Sequence, residues 1–473
     1  MSPPKANGAA LADALAAIVG AEHVHADVTP WRSDITEHPP GDADVAVAPG
    51  TRDEVVAVVA LAAERGLGVT PVVAGYNVAG IAIPHGGIVL DLRRLDGIDI
   101  DADTMTAVVE PGVTFEQLKA HLDQHHPELA YTYPFAPPFT SVLMNALLDG
   151  LNNLSMRGGA MGRWVTSIEA VLADGTVVRT GSAGVVDGWF ARAPLPDLTG
   201  LFLSTQGTTG IVLRAGLALV PNRVQRSRWF AFCWTLESAH QAMVALARSG
   251  SFDDVGLMTW PSSKLLFGAT RGLVRADDEP LAFLFIDITG STGEELAVRE
   301  SLGRRVLADA GVDPPFEVAH LVRLLPGLAK LAELPTTLDF LLDFPGGGLA
   351  WVGSYGPPAA WVAGADAGLA TLEAHGFPPF LVARPMEGGR YFVLRFVACF
   401  DKGDDAEVER VRACMGELAD LVLDHGYVPY KASADAARRI VDRAHPGWVD
   451  LFRRVRDAVD PERRMNPGRW PGV

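Results

Sequence analysis

An α+β protein of two domains is what this chain predicts, on three observations. Its 473 residues, 48% of them hydrophobic, exceed what one core of ordinary size accommodates. Between Asp44 and Pro221, short Val- and Ile-rich runs alternate with helical periods and Gly turns. Beyond Pro221 the strands are separated by longer amphipathic helices, with Pro and Gly clusters at Pro314 to Pro315, Pro345 to Gly348 and Pro357 to Pro358.

The stretch Ala9 to Val19 has helical period and is interrupted by Asp13, which predicts a surface helix and not a signal peptide. DVAVAPG, from Asp44, reads as a strand, followed by a helix from Thr51 to Arg65. Thr51 can cap that helix, with Glu54 as its capping-box partner. GVTPVVAG, GGIVLDL and MTAVVEPG are further strands, and in SIEAVLADGTVVRTG the pair Asp174 and Gly175 supplies the turn of a tight hairpin. In the second part, Asp405 to His425 is helical, with Val408, Val411, Met415, Leu418 and Val422 on one face. The stretch from Ala434 is helical until Asp460 and Pro461 halt it ahead of MNPGRW.

Composition narrows the function. A net charge of −17 with mixed signs offers no basic face to nucleic acid. The three cysteines, Cys233, Cys399 and Cys414, match no disulfide framework or metal knuckle and suit a reducing, cytoplasmic compartment. The apolar run Leu321 to Leu342 is broken by Arg323, Lys330, Glu333 and Asp339, so no membrane span is expected. His121 and His125 sit four apart without a third ligand, which argues against a metal site. No nucleophile elbow or hydrolytic triad is apparent.

Three segments suggest chemistry. In GYNVAG, the glycines Gly75 and Gly80 around Tyr76, Asn77, Val78 and Ala79 would let main-chain amides approach an anionic diphosphate. A plain turn between strands accounts for that segment equally well. In GTTGIV, Gly207 and Gly210 precede the β-branched Ile211 and Val212, leaving amides and hydroxyls free for a ligand or forming only a bend. In TSVLMNA, from Thr140, the side chains of Ser141 and Asn145 are four apart at a helix start and can face one ligand, although Ser141 taken alone suits a cap.

Taken together, the order and spacing of these segments resemble the FAD-binding fold of the vanillyl-alcohol oxidase and p-cresol methylhydroxylase family. The resemblance runs through APGTRDEV, GYN, IVLDLRRL, VVEPGVT, SVLMNAL, VLADGTVVRTG, GLFLSTQGTTGIV and DPERRMNPGRW, nearly the whole chain. It implies a p-cresol methylhydroxylase-type FAD-binding domain over 1–225, a substrate-capping α+β domain on an antiparallel sheet over 226–433, and a return to the first domain over 434–473. It also implies an FAD whose diphosphate lies at Gly75 to Gly80, whose adenine end is approached by Gly207, Gly210, Ile211 and Val212, and whose flavin meets Asn466. GGGLAWVGSYGPP and the segment from Cys399 to Ser433 favour the phenol-oxidising branch over the D-2-hydroxyacid dehydrogenases.

The chain departs from the family at several places. Tyr76 stands where the phenol oxidases have Arg, Met144 replaces a Gly before Asn145, and Ala160, just after Gly159, replaces an acid near the flavin. The stretch Arg390 to Cys399 has no His, and Tyr391 is not at the flavin-linking position, so a non-covalent FAD is expected. The family's phenolate-binding Tyr and Arg correspond to Tyr430 and Lys431, where lysine keeps the charge but not the planar fork.

The expected activity is hydride removal from a small aromatic, phenolic or alcohol substrate to FAD, reoxidised by oxygen or another acceptor. Tyr430, Lys431, Tyr391, Arg390 and Trp351 are the pocket candidates. A D-2-hydroxyacid dehydrogenase, with Arg390 or Lys431 on the carboxylate, and a flavin binder without turnover are the alternatives. A homodimer is compatible with the sequence.

Overall fold

The computed structural model describes residues 8–266, 269, 272–324, 326, 329 and 346–473; most of the run Leu321 to Leu342 lies outside them. In the first half, Val24–His25, Val45–Val47, Ile88–Asp91 and Val69–Val72 form a sheet in that order, with Ile88–Asp91 parallel to both neighbours of its own half-sheet, Val45–Val47 and Val69–Val72. The parallel connection needs a crossover, and the helix Arg52–Arg65 provides it. Its Val55, Val58, Val59 and Ala62 are buried at helical spacing, and Gly66 ends it at a φ of 64°. Thr51 accepts from the Glu54 amide as expected, whereas the Glu54 carboxylate accepts from the Gly50 amide at 2.6 Å, one residue before the capping-box position.

A second, antiparallel sheet orders Ile98–Asp101, Thr106–Val109, Ile211–Ala218, Val165–Val171 and Val177–Arg179. The expected hairpin closes through Asp174 and Gly175, with Gly175 at a φ of 86°. Glu169 of this sheet binds Arg52 at 2.8 Å, Arg179 at 2.6 Å and Arg214 at 3.0 Å, tying the helix to three strands. Burial alone would raise its pKa, but the three guanidiniums carry it down to about 2. A depressed carboxylate stabilises the fold above its unfolded pKa and stops doing so as pH falls through the folded one. Glu169→Gln is therefore expected to narrow the stability difference between the variant and the parent as pH falls from 4.5 to about 2, in denaturant melts at successive pH values.

The second half is one antiparallel sheet of eight strands, ordered Phe316–Glu317, Gln225–Cys233, Ala282–Gly290, Asp254–Thr259, Phe380–Met386, Tyr391–Asp401, Gly347–Gly356 and Val428–Pro429. Side chains alternate across it, and the alternation decides the site. Leu257, Ala350, Val352, Leu381, Ala383, Leu394 and Phe396 enter a core covered by the helices Leu236–Arg248, Gly293–Asp309, Trp361–Ala374 and Asp405–Asp424. Their neighbours Met258, Leu349, Trp351, Phe380, Val382, Arg384, Arg395 and Val397 face the other way, toward the first half. The helix Asp405–Asp424 buries Val411, Met415, Leu418 and Val422 as its period predicts.

After the helices Ala434–Arg443 and Pro446–Val459 the chain rejoins the first sheet. The Val69 amide donates to Arg464 at 2.9 Å and the Asn466 amide to Val69 at 2.8 Å. No described helix is long and apolar enough to cross a membrane.

Candidate active site

A cavity of about 310 Å³ lies between the first-half loops and the uncovered face of the eight-stranded sheet. Gly75, Tyr76, Asn77, Val78, Thr140, Ser141, Met144, Asn145, Gly207, Gly210, Ile211, Val212, Asn466, Trp351 and Lys431 all line it, although they come from distant parts of the sequence. Ala79, Gly80, Gly159, Tyr391, Arg390 and Tyr430 do not.

The first-half end is built from backbone. Gly75 has a φ of 74° with open space where a Cβ would lie, so conformation is what asks for glycine there. Gly80, at 66°, faces the His38 ring, which a Cβ would meet at 2.4 Å; it is a packing position. Asn77 is spent on its own loop, accepting from the amides of Ala79 at 2.7 Å and Ile81 at 3.1 Å. Ser141 caps Val142–Leu147, accepting from Met144 at 3.1 Å and donating to Pro111 at 2.6 Å. Tyr76 is exposed and set edge-on against Phe139.

Deeper in, Asn466 takes a φ of 43° and donates from Nδ2 to the Gln206 carbonyl at 2.7 Å. Its Oδ1 and the Gln206 Oε1 are buried acceptors with no partner among the described residues. Such atoms are costly unless a ligand supplies donors. Two unpaired acceptors beside the glycine turns at Gly75 and Gly207 suit FAD, which carries both a diphosphate and a ring N–H.

The other end is apolar, walled by Met258, Leu349, Phe380, Val382 and Val397, with Arg384, Arg395 and Lys431 as its basic side chains. Arg384 pairs with Asp254 at 3.1 Å and donates to the Asn152 carbonyl. Burial raises Asp254 to about 7, against the pull of Arg384. Arg395 lies 4.2 Å over the Trp351 ring and donates through Nε at 3.1 Å, and through Nη2, to the Tyr430 hydroxyl. Tyr430 is stacked on Tyr355 at 4.4 Å, and burial keeps its phenol protonated despite Arg395. Lys431 donates from Nζ to the Asn145 Oδ1 at 2.5 Å.

Three pocket candidates fall outside the cavity, among them Tyr430, which stands behind Arg395. Arg390 has a 73% exposed side chain paired with Glu387 at 2.6 Å, because it precedes the strand and turns to solvent. Tyr391 donates to Glu387 at 3.1 Å and packs against Tyr355. Gly159 backs onto Glu387, and Ala160 is buried beside Tyr430 without a carboxyl. The arginines inside the cavity, Arg384 and Arg395, were not among the sequence candidates, and neither was Gln206. Arg395 interrupts an otherwise apolar run between Leu394 and Phe396, which does not say which face of the strand meets the cavity.

The His121 and His125 rings are tilted against each other at 4.9 Å, and the described residues contain no cluster of three or more metal-ligating side chains.

Comparison with known proteins agrees with this geometry. Residues 43–181 match the FAD binding domain family, and residues 392–470 match the C-terminal domain of FAD linked oxidases. The 4-cresol dehydrogenase (hydroxylating) flavoprotein subunit of Pseudomonas putida is 24% identical, over 90% of this chain and 87% of its own. A glycolate oxidase subunit of Bacillus subtilis is 30% identical, but the match spans only 42% of each chain. The crystal structure of p-cresol methylhydroxylase with substrate bound superposes with a TM-score of 0.86 at 20% identity, covering 98% of this chain and 96% of that one.

Proposed function

The chain belongs to the p-cresol methylhydroxylase-type FAD-linked oxidases, and from that premise we propose that this FAD-dependent oxidoreductase oxidises a small aromatic alcohol or alkylphenol. The observation that carries the reading is the single cavity that joins Gly75, Gly207 and Asn466 to an apolar chamber ending in Arg395 and Lys431. When bound, FAD supplies the acceptor for a hydride from the substrate carbon.

The protein's own residues do the rest. Gly75 to Val78 hold the diphosphate, Gly210 to Val212 approach the adenine end, and Gln206 and Asn466 accept from the flavin ring, with Gly207 beside Asn466 and so on the flavin side. The apolar wall excludes water and orients an aromatic body. Arg395, braced from behind by Tyr430, and Lys431 receive the substrate's oxygen. A hydroxyl has one proton and two lone pairs, so Tyr430 can take both Arg395 donors and leave its own proton free.

FAD is held without a covalent bond in this reading, since Tyr391 points at Glu387 and away from the cavity. The divisions 1–225, 226–433 and 434–473, oxygen or another electron acceptor, and a homodimer belong to the same proposal. Anaerobic titration of the yellow protein tests it: a para-alkylphenol or its benzylic alcohol is expected to bleach the flavin. Bleaching by a 2-hydroxyacid and not by the phenol would favour a hydroxyacid dehydrogenase, a second reading supported by Arg384 and Arg395, with Arg395 taking the carboxylate in place of Arg390. A flavin inert to both would leave a binder without turnover.

A further inference from the structure

We propose that Lys431 is the proton acceptor of the reaction, its amine taking the substrate's hydroxyl proton and releasing it into a second, outer cavity. This rests on the reading that the substrate presents an oxidisable C–OH to the chamber beside Arg395.

Position is the first argument. Lys431, Val78 and Trp351 line both cavities, so Lys431 stands in the wall between the chamber and an outer space bounded by Glu37, His38 and Arg412, with its Nζ at Asn145 on the chamber side. The residue thus borders the substrate side and an exit for what its amine accepts.

The second argument is how firmly it is held. Lys431 has a φ of 48°, a conformation that a long side chain adopts only under constraint. Both neighbours are pinned: the Tyr430 amide donates to Gly353 at 2.9 Å, and Gln206 Nε2 donates to the Ala432 carbonyl at 2.7 Å. One anchor, Gly353, lies in the eight-stranded sheet and the other, Gln206, in the turn before Ile211–Ala218, and together they fix the backbone that carries the amine.

Its surroundings favour a free amine. The polar partner of Nζ is the neutral Asn145, itself oriented by Met161, and among the described residues Lys431 joins no ion pair. Facing it are Arg395 from the cap sheet and Asp149 from the turn after Val142–Leu147; on the outer side stand Glu37, His38, Arg412, Asp435 and Arg439. Burial first, then Arg395, takes the amine down to about 7, against Asp149. Ala160 offers no carboxylate for the same task.

The step balances. The lone pair of Nζ forms the new N–H bond as the substrate O–H breaks. The oxygen pair left behind forms C=O while hydrogen on the adjacent carbon departs with its two electrons to FAD, the oxidant. Lys431 then returns its proton to solvent in the outer cavity.

Two measurements on the FAD-loaded protein test this. The first is competitive acetylation of Lys431 across pH, read by mass spectrometry, which needs no turnover; a midpoint near 7 is expected, and an ordinary lysine midpoint overturns the inference. The second is the pH profile of flavin bleaching by a para-hydroxybenzylic alcohol. The parent should gain rate as pH rises through that midpoint, whereas Lys431→Arg, which stays charged, should lose at least about 100-fold and the limb with it. Lys431→Met should recover rate on addition of methylamine. An arginine variant with the parent's rate and limb overturns the inference alone. Colour without bleaching by any alcohol or phenol overturns the underlying reading and the inference together.

Discussion

Replacing Arg395 by methionine is expected to lower kcat/KM for a phenolic substrate about 100-fold while bound flavin stays at the parent level, since a hydrogen bond to a charged group contributes about 1.5–3 kcal/mol. Arg395 is the cavity guanidinium nearest Tyr430, and its position is set by the strand Tyr391–Asp401, by the Trp351 face and by the Tyr430 hydroxyl. Methionine fills the volume without the charge, so the sheet should keep its packing. Arg395→Lys should recover part of the loss, since an ammonium keeps the charge but cannot present two parallel donors. Steady-state kinetics with a flavin content measured on each sample separates the outcomes. A loss confined to flavin content would make Arg395 a cofactor ligand instead.

The second large effect concerns stability. Arg384→Met should destabilise the fold by about 3–5 kcal/mol at pH 8, the usual cost of stranding one partner of a buried ion pair. The stranded partner is Asp254, fully buried in the second-half sheet. Because burial lifts that carboxyl to about 7 even with Arg384 pulling it down, loss of Arg384 lifts it further, so in the variant it takes up its proton as pH falls toward 7 and the penalty should shrink over that range. Pairing the change with Asp254→Asn should restore most of the loss. Denaturant melts at pH 8 and pH 6, with the double variant as control, check both statements; a penalty that grows as pH falls would contradict them.

What was legible in the sequence was local. The Thr51 cap, the Asp174 and Gly175 turn and the apolar face of Asp405–Asp424 are set by residues within a few positions of one another, and each forms where the pattern places it. Gly75 and Gly207 were legible for a related reason, since their φ values of 74° and 77° suit glycine. Spacing was half informative at Ser141 and Asn145: the first turned out to cap its helix, while the second reaches Lys431. The cations were harder to choose. Arg390 and Arg395 are five residues apart, but the strand between them is apolar on both faces, so nothing local says which face meets a cavity. Only the order of the eight strands and the helices on one side decide it. The pairing of Asn466 with Gln206, across 260 residues, has no local signature at all.

The account stands on the claim that Gly75, Gly207, Gln206 and Asn466 enclose one flavin. The visible absorption spectrum of the purified protein, recorded before and after incubation with excess FAD and removal of unbound dye, tests it most directly. Retained flavin bands at close to one FAD per chain, released on denaturation, are the predicted result; a protein that stays colourless after that incubation would contradict it.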